Sequence, residues 1–351
     1  MRATVCGVLL AALVGLSGPA GHAQKPSATD ALPPWHVPDV STLADDDFGK
    51  AVRLGRQLIQ HTSAMIGPDA DDASLRFAGN GLECQSCHLD AGTARFGLPF
   101  VGIWDAYPGF SARAGADQTL ADRINGCMQR SMNGRILPPD SRELHAMEAY
   151  IRFLGSNDPS RTPPIGRGAP KLPLPGKAAD PARGRAVYAA TCAACHRSDG
   201  QGVRYSSAEA HEKRQRYLFP PVWGPDSFNY GAGMARVMTA AWFVHANMPR
   251  GVTFDYPALH PDQAYDVAAY IDSQPRPHKA DLSLDYPDRW LKPADAAYPP
   301  WSGPFSGREH KFGPWKPIEA WLRARAPSSE NHERAAGDLE AAGSPAVKQS
   351  R

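Results

Sequence analysis

Cys84-Gln85-Ser86-Cys87-His88 and Cys192-Ala193-Ala194-Cys195-His196 decide how this chain is read. Each is C-x-x-C-H, the pattern that attaches a c-type haem. The spacing has a chemical reason. Two thiols add across the two vinyl groups of one porphyrin, so they must lie a short turn apart. The adjacent histidine then sits beneath the iron as its proximal ligand. Other uses of paired cysteines fit less well. A redox pair calls for a βαβ setting, which the pattern lacks. Zinc would have to gather two pairs separated by 104 residues, each already followed by a histidine. Structural disulfides need no histidine after each pair. Two covalently bound haem c groups are expected, one on Cys84, Cys87 and His88, the other on Cys192, Cys195 and His196.

Working outward, the same order recurs around each motif. Arg53-Leu54-Gly55-Arg56 opens an apolar pattern through Leu58 and Ile59, and Leu144, Met147, Tyr150, Ile151 and Leu154 recur at helical spacing after the first motif. Arg183-Gly184-Arg185 opens a pattern through Val187 and Tyr188, answered by Tyr265, Ala268, Ala269 and Ile271. Helix, C-x-x-C-H, loops, helix, read twice, predicts a mainly α chain of two fused cytochrome c domains, at 39–158 and 179–275. The first has an insertion over roughly 65–83. Residues 159–178 hold six prolines and three glycines and read as an extended linker. Beyond 275 the chain is again Pro-rich, yet it holds Trp290, Trp301, Trp315 and Trp321, four of the eight tryptophans. A disordered tail rarely holds so much tryptophan. Residues 276–327 are therefore expected to wrap a domain as irregular structure, and 328–351 to be disordered.

The 351 residues include 34 prolines and 32 glycines, which exclude a simple helical bundle and point to long irregular connections. A net charge of +2 gives no basic field for nucleic acid. No apolar run reaches membrane-spanning length. Thr4 to Leu16 is largely apolar, Arg2 precedes it and Gly21-His22-Ala23 follows. This reads as an export signal cleaved after Ala23, which takes Cys6 with it and places the mature chain in the periplasm.

Each iron then needs a sixth ligand. For the second haem Met234, Met238, Met248 and His245 are available. Met238 reads as core filler in a buried helix. Met248 precedes Pro249, which pushes it out of helical conformation and suits a loop ligand, so Met248 is favoured. His/Met ligation raises the potential of such a haem. Near the first haem lie Met128, Met132, Met147 and a lone Cys127, which is 39 residues after His88. A lone cysteine is ordinarily a small buried apolar residue. Here it lies in Arg123-Ile124-Asn125-Gly126-Cys127-Met128-Gln129-Arg130-Ser131-Met132-Asn133-Gly134-Arg135, a polar, glycine-containing stretch that makes a poor core helix or strand. Its arginines favour a thiolate. A thiolate ligand lowers an iron potential and points to catalysis.

With these residues in place, the chain resembles the dihaem c-type thiosulfate dehydrogenases, which form tetrathionate. The resemblance runs from about Asp39 to about Trp321. It rests on Cys84-Gln85-Ser86-Cys87-His88, the 123–134 segment, Phe219-Pro220-Pro221-Val222-Trp223-Gly224-Pro225-Asp226-Ser227-Phe228-Asn229, and Lys311-Phe312-Gly313-Pro314. It implies that Cys127 ligates a catalytic first haem opposite His88, that Arg113, Arg123 and Ser131 line the substrate pocket, and that Met248 is the sixth ligand of an electron-transfer haem. Some members carry a lysine just before this methionine and exchange the two ligands; this chain has Asn247 there. The implied partners are thiosulfate or tetrathionate and a soluble or membrane-associated cytochrome c or other periplasmic acceptor. The alternatives are the reverse enzyme, a tetrathionate reductase, and a non-enzymatic dihaem electron-transfer subunit. Two thiosulfate dianions about 5 Å apart repel by roughly 3 kcal/mol even in water. Arginine offsets this with a fork that matches oxyanions, and Arg113, Arg123, Arg130 and Arg135 all lie near Cys127 in sequence.

Overall fold

A glycine in each half fixes how the helices cross. Helix α1, Asp47–Gln60, starts where the Asp46 carboxylate accepts the Gly49 N–H at 2.8 Å. It buries Val52, Gly55, Leu58 and Ile59 on one stripe. Helix α2 is Leu120–Arg130 and helix α3 is Arg142–Gly155. α1 crosses α3 so closely that a Cβ on Gly55 would collide with the Ala146 carbonyl oxygen. Helix α4, Pro181–Thr191, begins with Asp180 as cap and proline in its first turn. Helix α5 is Val237–Asn247, and helix α6 is Pro261–Ser273. α4 meets α6 at Gly184, where a Cβ would collide with the Asp266 carbonyl oxygen. The repeated glycine between arginines is thus the residue that lets the first and last helices of each domain touch. Arg183 braces the second crossing from outside, with Nε donating to Asp266 at 2.7 Å.

The structure, a computed structural model, describes residues 34–155 and 164–325. The expected export signal, residues 328–351 with their expected disorder, and linker residues 159–163 lie outside the described residues. The rest of the linker lies along both domains. The Phe96 N–H donates to the Gly166 carbonyl at 2.9 Å, Arg167 donates to the Gly102 carbonyl at 3.1 Å, and Leu172 enters the second core. No described helix is long and apolar enough to cross a membrane.

Two sequence expectations are corrected. The polar stretch around Cys127 is a regular helix, α2. Thr119 and Asp122 form a capping box at its start, and its apolar residues Leu120 and Met128 bury against the first core. The extension is not irregular throughout. It ends in α7, Gly307–Phe312, and α8, Trp315–Arg325. Ser306 and Glu309 box the start of α7. Pro317 falls in the first turn of α8, where its missing N–H costs nothing. Trp315 and Ile318 are fully buried against Ala264, Tyr265 and Ala268 of α6. Strands are few. β1, Gly109–Ser111, and β2, Ala116–Gln118, form a hairpin whose turn holds Arg113. β3, Val203–Arg204, pairs with β4, Tyr217–Phe219.

Because Gly184 faces backbone rather than a movable side-chain tip, Gly184→Ala should cost about 1–3 kcal/mol or more through overpacking, read as a lowered midpoint in chemical denaturation. Gly168→Ala meets no atom within 4 Å but sits at φ +97; it should lose less, through backbone strain alone.

Candidate functional site

Both C-x-x-C-H motifs form a tight turn, and both histidines are held in the same way. The His88 N–H donates to the Cys84 carbonyl at 3.0 Å, and the His196 N–H to the Cys192 carbonyl at 2.9 Å. His88 Nδ1 lies 2.5 Å from the Leu98 carbonyl oxygen, and His196 Nδ1 lies 2.8 Å from that of Pro220. A carbonyl only accepts, so each Nδ1 carries the proton. That leaves each Nε2 lone pair for an iron, the arrangement expected of a metal-bound histidine. Leu98 sits at φ 54, a region unfavourable for a branched side chain. Local strain is accepted where the carbonyl must meet the imidazole. His88 also stacks on Phe100, ring centroids 4.3 Å apart. The donor sets of both motifs fit a haem c.

α2 brings the predicted pocket residues onto one face. Arg123, Cys127 and Ser131 follow at steps of four, and Ser131 caps the helix by donating its N–H to the Cys127 carbonyl. Burial opposes a thiolate at Cys127, but the Arg123 charge, the neighbouring His88 and the Arg113 charge outweigh it, and the thiol is held down to about 6. Burial pushes Cys84 and Cys87 up to about 12. Cys127 is thus set apart from Cys84 and Cys87. Arg123 is tied to Cys127 and Tyr107. Arg113 reaches in from the β1–β2 turn. Its Nη1 donates to the Gly231 carbonyl at 2.6 Å and lies 3.4 Å from Asp285, while its guanidinium lies 5.4 Å from the centre of the Tyr286 ring. Arg130 bonds Asp285 at 2.6 Å. Arg135 turns away, onto Phe77 at 4.0 Å and the Ser74 carbonyl.

Around the second motif, Tyr188, Trp223, Val244, Leu259, Val267 and Ile271 form an apolar pocket against which Cys192 and Met248 pack. Met248 is extended, at φ −130 and ψ 144, as its position before proline requires. Met238 lies in a different cluster, with Ala264, Tyr265 and Trp315. Asn247 donates to the Phe96 carbonyl at 3.1 Å. The turn before Met248 is therefore fastened to the first-domain loop that holds His88.

The chain matches the family described as SoxA/TsdA, cytochrome c domain, over residues 77–159, and the family described as cytochrome c over 181–275. It is 38% identical over 281 residues to the thiosulfate dehydrogenase of Allochromatium vinosum, covering 79% of this chain and 96% of that protein. The chain belongs to the thiosulfate dehydrogenase family. The thiosulfate dehydrogenase of Thiomonas intermedia is 39% identical over 240 residues, 68% of this chain and 70% of that one. The solved thiosulfate dehydrogenase (TsdBA) of Marichromatium purpuratum superposes with a TM-score of 0.62 at 37% identity, over 70% of this chain and 50% of that chain; this chain thus spans half that structure's length. Two cytochrome c domains imply haem c as the family cofactor.

Sequence reasoning missed Leu98, Glu83, Asp285 and Tyr286. Leu98 and Glu83 lie beside the first motif and were within reach of it. Glu83 begins that turn: its N–H donates to Ser86 Oγ at 3.1 Å and its Oε2 accepts the Ser63 N–H at 3.0 Å. Burial pushes its carboxyl up to about 8. The unfolded chain loses this proton near the ordinary 4.5, so between about pH 5 and 8 the folded state binds more protons, and stability falls as pH rises. Glu83→Gln should flatten that fall, seen by comparing denaturation midpoints at pH 5 and pH 8; a wild-type slope in the variant would show another group responsible.

Proposed function

We propose that this chain oxidises two thiosulfates to tetrathionate in the periplasm and passes two electrons to a soluble or membrane-associated cytochrome c or similar acceptor. The observation that supports this best is Cys127, a half-buried thiol held near 6 chiefly by the Arg123 charge. In this reading two covalent haem c groups, on Cys84, Cys87 and His88 and on Cys192, Cys195 and His196, supply the one-electron acceptors. His88 and Cys127 would hold the first iron, and His196 and Met248 the second.

The chain's own residues do the rest. Arg113 and Arg123 bind the oxygens of thiosulfate and offset the repulsion between two dianions. Ser131, one turn beyond Cys127, contributes a hydroxyl at the same face. The Cys127 thiolate bonds to the outer sulfur of the first thiosulfate, and two electrons leave. The second thiosulfate attacks that held sulfur, forming the central bond of tetrathionate and releasing the thiolate. Charge and atoms balance over the two steps, and the encounter of like-charged partners becomes a positioned one. Removing one such contact costs about 10²–10³ in turnover when it acts in a water-excluded site.

Cys127→Gly should keep both haems by mass, since attachment uses other cysteines, and lose at least about a hundredfold in thiosulfate oxidation. Full activity would reject the role given to Cys127. Met248→Gly should lower the potential of the second haem and slow electron exit, with thiosulfate binding retained. If Met234→Gly produces that change instead, the assignment of Met248 is wrong.

A further inference from the structure

The extension places an unusual charge beside this pocket. Lys292 is 4% exposed, and its Nζ has no hydrogen-bond partner among the described residues. The ammonium lies 4.4 Å from the centre of the Tyr298 ring and 5.7 Å from that of Tyr286. Tyr286 is the same ring that Arg113 approaches, and its backbone N–H donates to the Arg113 carbonyl at 2.8 Å. It stands at φ 61, a conformation rare for a bulky aromatic residue. A carboxylate that acts on this group, Asp285, is already taken. Asp285 accepts from Arg130 at 2.6 Å and from the Tyr298 hydroxyl at 2.7 Å, and pairs with Arg113 at 3.4 Å. Arg113 and Arg130 thus share one carboxylate, while the Lys292 ammonium has only ring faces for company.

Ring faces attract an ammonium but do not replace its lost hydrogen bonds. A buried, unsatisfied cation is costly unless it meets an anion. Burial, together with the Arg113 and Arg289 charges, lowers Lys292 to about 8, so it stays mostly charged at neutral pH.

We propose that Lys292 is an anion contact of the first-haem pocket, supplied by the extension, and that its ammonium takes an oxyanion beside Arg113. Two sources share this chemistry: the oxygens of bound thiosulfate and a haem carboxylate. The inference rests on reading the pocket as a thiosulfate site. The site is then incomplete without the extension.

The test uses the full-length haem-loaded protein with Lys292→Met, which keeps volume and removes charge, and Lys292→Arg, which restores charge should Lys292→Met fail to fold. If Lys292 meets substrate, Lys292→Met raises KM for thiosulfate at least tenfold with kcat nearly unchanged, weakens thiosulfate binding followed by the haem spectrum, and leaves the first haem's potential in place. If it meets a haem carboxylate, the first haem's potential falls while KM holds. In either case Lys292→Arg recovers most of the lost property. Wild-type KM, spectral binding and potential in a folded Lys292→Met overturn the inference, as does a Lys292→Arg variant that behaves like wild type when Lys292→Met is itself unchanged. Absence of thiosulfate turnover in the wild type would instead overturn the reading of the pocket.

Discussion

An imidazole can serve an iron through Nε2 only if something holds the proton on Nδ1 and stops the ring from turning. Two backbone carbonyls do this here, from Leu98 and Pro220. Much of the chain between and beyond the motifs places those two carbonyls. Leu98 is held in a strained turn whose neighbour Phe96 is fastened on both sides, its N–H to Gly166 and its carbonyl to Asn247. Pro220 stands at the end of β4, and the segment after it continues as Trp223 into the second apolar pocket.

The same segment ties the halves together. Asp226 accepts the Gly81 N–H at 2.8 Å, and Asn80 donates to both the Ser131 and Ser227 carbonyls. Asn229 donates to the Gln129 carbonyl at 2.9 Å and to Asn133 at 3.0 Å. One stretch therefore fixes the second histidine and closes the C-terminal end of the Cys127 helix. Phe228, Ala232 and Ala235 join the first core. Ser227 and Asn229 are buried and Asp226 half-buried, and all three are hydrogen-bonded, so each substitution leaves a partner unsatisfied.

What was legible in the sequence was local. The C-x-x-C-H motifs, the paired helices and the loop position of Met248 depend on neighbours a few residues away. The helix around Cys127 was locally written as well, in the Thr119–Asp122 box, but its glycine and polar residues read as breakers when burial was weighed ahead of capping. Tertiary packing of Leu120 and Met128 then outweighs the weak propensity of Gly126. Asp285, Tyr286 and Lys292 could not be read in this way. Asp285 pairs with Arg113 across 172 positions and with Arg130 across 155. No periodicity reports a contact of that span. The surplus of tryptophan in the extension showed that it is packed, and was silent on what it covers.

Electrostatics gives the extension a reason to lie where it does. Arg113 and Arg130 are both largely buried, and two guanidinium groups so placed repel each other. A carboxylate between them relieves this. Asp285 supplies one negative charge to two arginines, and Tyr298 donates to the same carboxylate, which weakens its hold on each. On the function proposed above, this would stabilise the pocket while empty and leave it attractive to an incoming dianion. Arg123 divides the work differently. It faces Cys127 and Tyr107 rather than a carboxylate, so its charge favours the thiolate without being cancelled. A carboxylate in place of Tyr107 would pair with Arg123 and weaken its pull on Cys127.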